Sequence, residues 1–176
     1  MSKETRVEAL VVIDMLNDFV RPGAPLEVPA ARDIIPCIRR RIARAREERS
    51  PVIYVCDAHA PEDPEFEAWG RHAVRGTEGA EVVSELAPAP GDDVVQKTTL
   101  SAFFKTGLDG VLEKHGVTAV VLSGVLTNIC VYYVAVEAAV RGYEVVVPRD
   151  CVAAQSDEEH EFALGQMKKI LKTRIE

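Results

Sequence analysis

The strongest constraint on this chain is an alternation: short runs of Val, Ile and Leu recur, and segments with helical periodicity fill the spaces between them. The runs are "EALVVID" (8–14), "PVIYVCD" (51–57), "DVVQK" (93–97), "TAVVLSG" (118–124) and "YEVVVPRD" (143–150). Near-continuous apolar runs are what parallel strands covered on both faces require. Helical periodicity covers 30–49, 108–115, 128–140 and 157–172, and the closing "TRIE" reads as a short sixth strand. Gly116 and Gly142 fall just past two of these helices, where a left-handed residue stops a helix. The pattern predicts an α/β fold: a doubly wound, mostly parallel five- or six-stranded sheet with helices on both faces. The length of 176 residues predicts one domain over 1–176, with no internal repeat or linker.

Bulk composition narrows the partners. The formal net charge is −7, and the one basic cluster, "RRRIARAR" (39–46), lies in a helical pattern. It reads as a solvated helix face, so nucleic acid is not expected. Thr127, Asn128 and Glu137 interrupt the longest apolar stretch, 120–142, and a spanning helix needs ~20 apolar residues without such breaks. No membrane association is expected. The four cysteines, Cys37, Cys56, Cys130 and Cys151, form no CxxC pair. The opening "MSKETRVEALVVID" has no signal-peptide pattern, so reduced thiols and a cytoplasmic location are expected. Cys37, Cys56 and Cys151 read as buried and inert.

In a sheet of this kind ligands bind beyond the carboxyl ends of the strands. Those ends deliver Asp14, then Asp57 and His59, then Lys97, and the loop after the fourth strand leads to Cys130. Each has a plain alternative: a turn aspartate, a lysine whose amine reaches out to water, a cysteine buried in an apolar helix. Together they supply a nucleophile, a base and a charge that tunes them. With Thr127 as N-cap, Cys130 would be the third helical residue, where the helix dipole lowers a thiol pKa. The D-x-H pair Asp57 and His59, with His72 further on, is a usable set of ligands for Zn²⁺ or a similar ion, and Glu65 could add a fourth. Surface turn residues would explain that spacing as well. The segment 59–79 is long and weakly periodic, as functional loops tend to be. His115 at a helix end and His160 in a polar helix read as structural.

These residues sit in three motifs: "VVIDMLNDFV", "VVQKTTLSAFFKTGLDGVLEKHGV" and "LSGVLTNICV". In that order they resemble the isochorismatase-like cysteine hydrolases, which include nicotinamidases and N-carbamoylsarcosine amidases. The resemblance implies that Asp14, Lys97 and Cys130 are catalytic, Cys130 attacking an amide carbonyl. It also implies a cis peptide between Val125 and Leu126 and an oxyanion hole from the N–H groups of Leu126 and Cys130. Asp57, His59 and His72 would hold a divalent metal, Zn²⁺ by preference, with Glu65 as a further ligand. Phe19 and Trp69 would sandwich a substrate ring, and the protein would form a homo-oligomer. The expected activity is a nicotinamidase-like cleavage of a small amide through a thioester. The alternatives are an isochorismatase-type or N-carbamoylsarcosine amidase-type hydrolase, or a ligand-binding member without catalysis. The "WGRH" sequence (69–72) departs from the nicotinamidase pattern, and Arg71 could reach an anionic group. A redox thiol protein would lack a resolving CxxC partner.

Overall fold

The apolar runs pair into one parallel sheet in the computed structural model, which describes residues 6–176. The first five residues, part of the N-terminal reading above, lie outside the described residues. Strand β1 (Glu8–Ile13) leads into a short helix α1 (Asn17–Val20) and the long α2 (Ala31–Glu47). Strand β2 (Val52–Asp57) follows, then a loop with the one-turn α3 (Phe66–Trp69), and β3 (Asp93–Lys97). Helix α4 (Leu108–Lys114), β4 (Ala119–Val125), α5 (Cys130–Val140) and β5 (Glu144–Val147) continue the alternation. The chain closes with β6 (Val152–Ala153), α6 (Asp157–Ile170) and β7 (Arg174–Ile175).

The strand order is β3-β2-β1-β4-β5-β7, with β6 paired to the end of β4, and every ladder is parallel. The sheet has seven strands, one more than the five or six expected. The extra strand, β6, lies beyond the run at 143–150, whose own strand stops at Val147 because Pro148 has no N–H to continue a ladder. A single 3₁₀ turn then leads into β6.

Burial explains the runs. β2 and β4 are buried at every position, whereas the edge strand β3 alternates between buried and exposed. Helices α4, α5 and α6 cover one face through Leu112, Val134, Ala138, Leu164 and Met167. α1 and α2 cover the other through Phe19, Ile34, Ile38 and Ile42. Along α2 the buried positions recur every three or four residues, and Arg39, Arg40 and Arg44 lie on the exposed side. Among the described residues no helix is long and apolar enough to cross a membrane.

Two cysteines depart from expectation. Cys37 on α2 and Cys151, just before β6, are joined by a disulfide with Cα atoms 5.5 Å apart. Their separation of 114 residues gives no local sign of this pairing; it arises because α2 packs beneath the β5–β6 connection. Cys56 and Cys130 are free and buried, as expected for Cys56.

Candidate active site

The chain reverses direction across the sheet between β1 and β4, so the loops after these strands open a crevice at their carboxyl ends. Gly124 makes the close approach possible. Its φ is 111°, and a Cβ there would lie 1.9 Å from the Ile13 carbonyl oxygen, so no other residue fits.

Asp14, at φ 51°, leaves β1 and turns its carboxylate inward. Its Oδ1 accepts the Asp57 N–H at 2.8 Å, and its Oδ2 lies 2.9 Å from Lys97 Nζ. Lys97 Nζ also donates to Asp57 Oδ1 at 2.5 Å and lies 3.6 Å from Cys130 Sγ. The fold therefore brings Asp14, Lys97 and Cys130 together. The lysine does not reach out to water; only 2% of it is exposed. The sequence marks Asp57 as a metal ligand alone, yet one of its oxygens belongs to this ion-paired group.

Electrostatics here are set by burial. Desolvation, then repulsion from Asp57, pushes the Asp14 carboxyl up to about 6, with Lys97 pulling the other way. Burial disfavours the Lys97 ammonium, but Asp14, Cys130 and Asp57 outweigh it and hold the amine well above its usual range. Burial also works against the Asp57 carboxylate, and Lys97 and His59 still hold it below its usual range.

Cys130 corrects one expectation. It is the first residue of α5, not the third, and the helix has Ile129 at its N-cap with no capping side chain. Thr127 is diverted elsewhere: its N–H donates to the Ala153 carbonyl at 2.8 Å, and its Oγ1 lies 3.0 Å from His160 Nδ1. Burial pushes the Cys130 thiol well above its usual range, against the attraction of Lys97, so the resting sulfur is protonated. The peptide between Val125 and Leu126 is cis, as the resemblance implies.

Asp57, His59 and His72 each offer a ligand atom within 4.8 Å of the others. His72 Nδ1 lies 2.7 Å from the Gly70 carbonyl, which can only accept, so Nε2 is left with a free lone pair. His59 is fully buried, and neither ring nitrogen has a hydrogen-bond partner. Its Nε2 is 3.8 Å from Asp57 Oδ2 and its Nδ1 3.2 Å from Asp63 Oδ2, neither contact aligned as a hydrogen bond. A buried imidazole without partners is costly, and a cation among these donors would satisfy it. The donor set therefore fits a divalent metal. Glu65 groups with His59 and Asp63, and burial raises its carboxyl pKa. Asp63 joins this group without standing out in the sequence, where an acid four residues past a candidate ligand is the available signal.

Between these donors and Cys130 lies a cleft of about 50 Å³ walled by Phe19, Leu26, Trp69, Leu100, Leu126 and Ile129. Phe19 is buried, and Trp69, 45% exposed, stands at the rim. Arg71 does not line this cleft: its Nη1 donates to the Pro61 carbonyl at 2.6 Å.

The Isochorismatase domain family model matches residues 8–175. N-carbamoylsarcosine amidase from Thermoplasma acidophilum superposes with a TM-score of 0.89 and 36% identity, covering 97% of this chain and 95% of that one. Pyrazinamidase of Pyrococcus horikoshii, solved in complex with zinc, gives a TM-score of 0.90 and 33% identity over 96% of this chain and 98% of that one. A probable inactive nicotinamidase of Arabidopsis thaliana is 35% identical over 97% of this chain and 92% of its own length.

Proposed function

This chain belongs to the isochorismatase family and is a hydrolase, and we propose that it cleaves the C–N bond of a small uncharged amide through a thioester on Cys130. One observation carries the reading: a buried lysine amine 2.9 Å from the Asp14 carboxylate and 3.6 Å from the Cys130 sulfur. Packing alone gives no reason to bury a base, a cation and a thiol together.

The chemistry follows from the protonation states. Cys130 Sγ attacks the carbonyl carbon as its proton passes to Asp14, whose raised pKa of about 6 suits it to hold that proton briefly. The carbonyl π pair moves onto oxygen. Among the described residues neither the Leu126 N–H nor the Cys130 N–H donates to a loop or cap carbonyl, so both can donate to this oxygen. The tetrahedral centre collapses, the C–N bond breaks, and the amine leaves with the proton from Asp14. Water, deprotonated by Asp14, then cleaves the thioester and frees Cys130. Before the attack Lys97 balances Asp14 and Asp57, which lets two adjacent carboxylates stay ionised in a dry site.

Asp57, His59 and His72, with Glu65 as a further oxygen donor, would hold a divalent metal, zinc by the precedent of the Pyrococcus enzyme. When bound, it would supply a Lewis-acid anchor for a lone pair on the substrate. Phe19 and Trp69 flank the cleft and suit a flat ring, so nicotinamide or pyrazinamide is the nearest substrate guess. The lining of this cleft includes no arginine, which disfavours an anionic amide such as carbamoylsarcosine. We read the chain as one domain that self-associates through the apolar side of α5, where Val140 is 80% exposed and Tyr133 44%.

The test is an ammonia-release screen over nicotinamide, pyrazinamide, carbamoylsarcosine and simple aliphatic amides. The uncharged aromatic amides should turn over, and Cys130→Ala should remove at least ~10⁴-fold of the rate while the protein stays folded. A folded wild type that releases ammonia from none of them would place this chain with non-catalytic relatives.

A further inference from the structure

The sequence presents His160 as an ordinary residue of a polar helix, but its environment is not ordinary. It reaches across from α6 so that its Nδ1 lies 3.0 Å from Thr127 Oγ1. Thr127 is fully buried, and its N–H is already committed to the Ala153 carbonyl of β6. One hydrogen bond therefore joins the hydroxyl to the ring, which burial, helped by Arg149, holds below its usual basicity. Asp157 opposes that effect.

Thr127 stands directly after Leu126 and three residues before Cys130, whose N–H groups are assigned above to the developing oxyanion. The Leu126 carbonyl is held from within the loop, accepting from the Ile129 and Val131 N–H groups at 3.1 Å each. From outside, at Thr127, the loop is held by the β6 backbone and the His160 ring. The ring rides on a firm base: Ser156 caps α6 by accepting the Glu159 N–H, and Ala163, Leu164 and Met167 bury its inner side.

We propose that His160 is a positioning residue: through the Thr127 hydroxyl it fixes the turn that aims the Leu126 and Cys130 N–H groups at the carbonyl oxygen of the scissile amide. The proposal rests on the amidase reading above. Donors of this kind act through placement, and a displacement near 1 Å can cost ~10²-fold in rate.

The test compares His160→Ala, Thr127→Val, their combination, and His160→Asn, whose side-chain amide can accept or donate where Nδ1 did. Three quantities are measured on each: kcat and KM for the best amide from the screen, the inhibition constant of the corresponding aldehyde, and the rate of Cys130 alkylation by iodoacetamide. The aldehyde adds Cys130 across its C=O bond: an S–C bond forms, the π pair moves to oxygen, and the thiol proton passes to Asp14. Its affinity therefore reports the oxyanion site, whereas alkylation at an sp³ carbon does not. Each single variant should lose about ten- to a hundredfold in kcat with little change in KM, and lose aldehyde affinity by a similar factor. Alkylation should hold, the double variant should be no worse than either single, and His160→Asn should recover most of the rate. Unchanged kcat and aldehyde affinity in both single variants would overturn the positioning role alone. So would a loss that falls equally on alkylation and thermal midpoint, the mark of a merely structural contact. An unaltered enzyme that turns over no amide would remove the amidase reading and this role together.

Discussion

The two ends of the sheet use the same kinds of charge in opposite ways. At the amino end, Arg6 pairs with Glu8 and Glu144, Arg41 with Glu176, Arg44 with Glu48, and Arg174 with Glu144 and Glu176. All of these side chains except Glu144 line a hollow of about 190 Å³, and their exposures run from 30% to 75%. At the carboxyl end a single ammonium meets two carboxylates and a thiol, beside a cleft of only about 50 Å³. Neither the number of ion pairs nor the size of the hollow marks the end proposed to be reactive. What marks it is desolvation: charges out of water shift one another's protonation, whereas exposed pairs are screened and contribute little.

Lys97→Met breaks this contrast most severely. It leaves Asp14 and Asp57 facing each other in the dry interior, and removing one partner of a buried ionic group typically costs about 3–5 kcal/mol. Amide hydrolysis should disappear, and the urea midpoint should fall with little change in slope. A variant as stable as wild type would mean that the carboxylates are already neutral and that the lysine is not their counter-ion.

The next largest effect concerns covalent support. Cys37→Ser opens the disulfide that ties α2 to the segment feeding β6. Closing so long a loop constrains the unfolded chain, and losing it should cost about 2–4 kcal/mol. Activity at 25 °C should persist, because the ion-paired group holds its geometry through β1, β2 and β3. A parallel fall in kcat would show that the carboxyl end depends on this staple as well as on its charges.

Acid sharpens the contrast further. The exposed Glu85 is held below its usual range, first by its hydrogen bond from Arg21, and stays ionised in mild acid. Asp14, raised to about 6, does not. The proposed proton acceptor, Asp14, must be ionised to act, so kcat/KM should fall about tenfold per unit as pH drops below about 6. A profile flat to pH 4.5 would move the base elsewhere.

Much of this was legible in the sequence, and the exceptions have physical causes. The strands showed themselves because double-sided burial leaves an uninterrupted apolar run, and Asp14 and Lys97 stood out because each ends such a run. β6 did not show itself: two residues against the end of β4 leave no pattern. The disulfide joins positions whose nearness is set by how α2 crosses the sheet. The N-terminus of α5 is hidden in the sequence because Thr127 is a residue type that caps helices, yet its hydroxyl bonds to His160 instead. The thiol was expected to be acidic because a helix dipole can be anticipated from position, whereas the depth of burial that outweighs it requires the packed structure.

The smallest expected effect tests the other side of the comparison. Arg6 lies 2.7 Å from Glu8 and 3.0 Å from Glu144, contacts as short as those around Lys97, with side-chain exposures of 42%, 38% and 47%. Geometry alone would rank them equal to the buried group. Solvent screening and the entropy of holding long side chains in place argue otherwise, so Arg6→Ala should change stability by at most about 1 kcal/mol. Whatever change there is should shrink further in high salt, and kcat/KM should not move. A larger loss that persists in high salt would show that the amino end is held by cooperative ion pairing, and that desolvation is not the property separating the two ends.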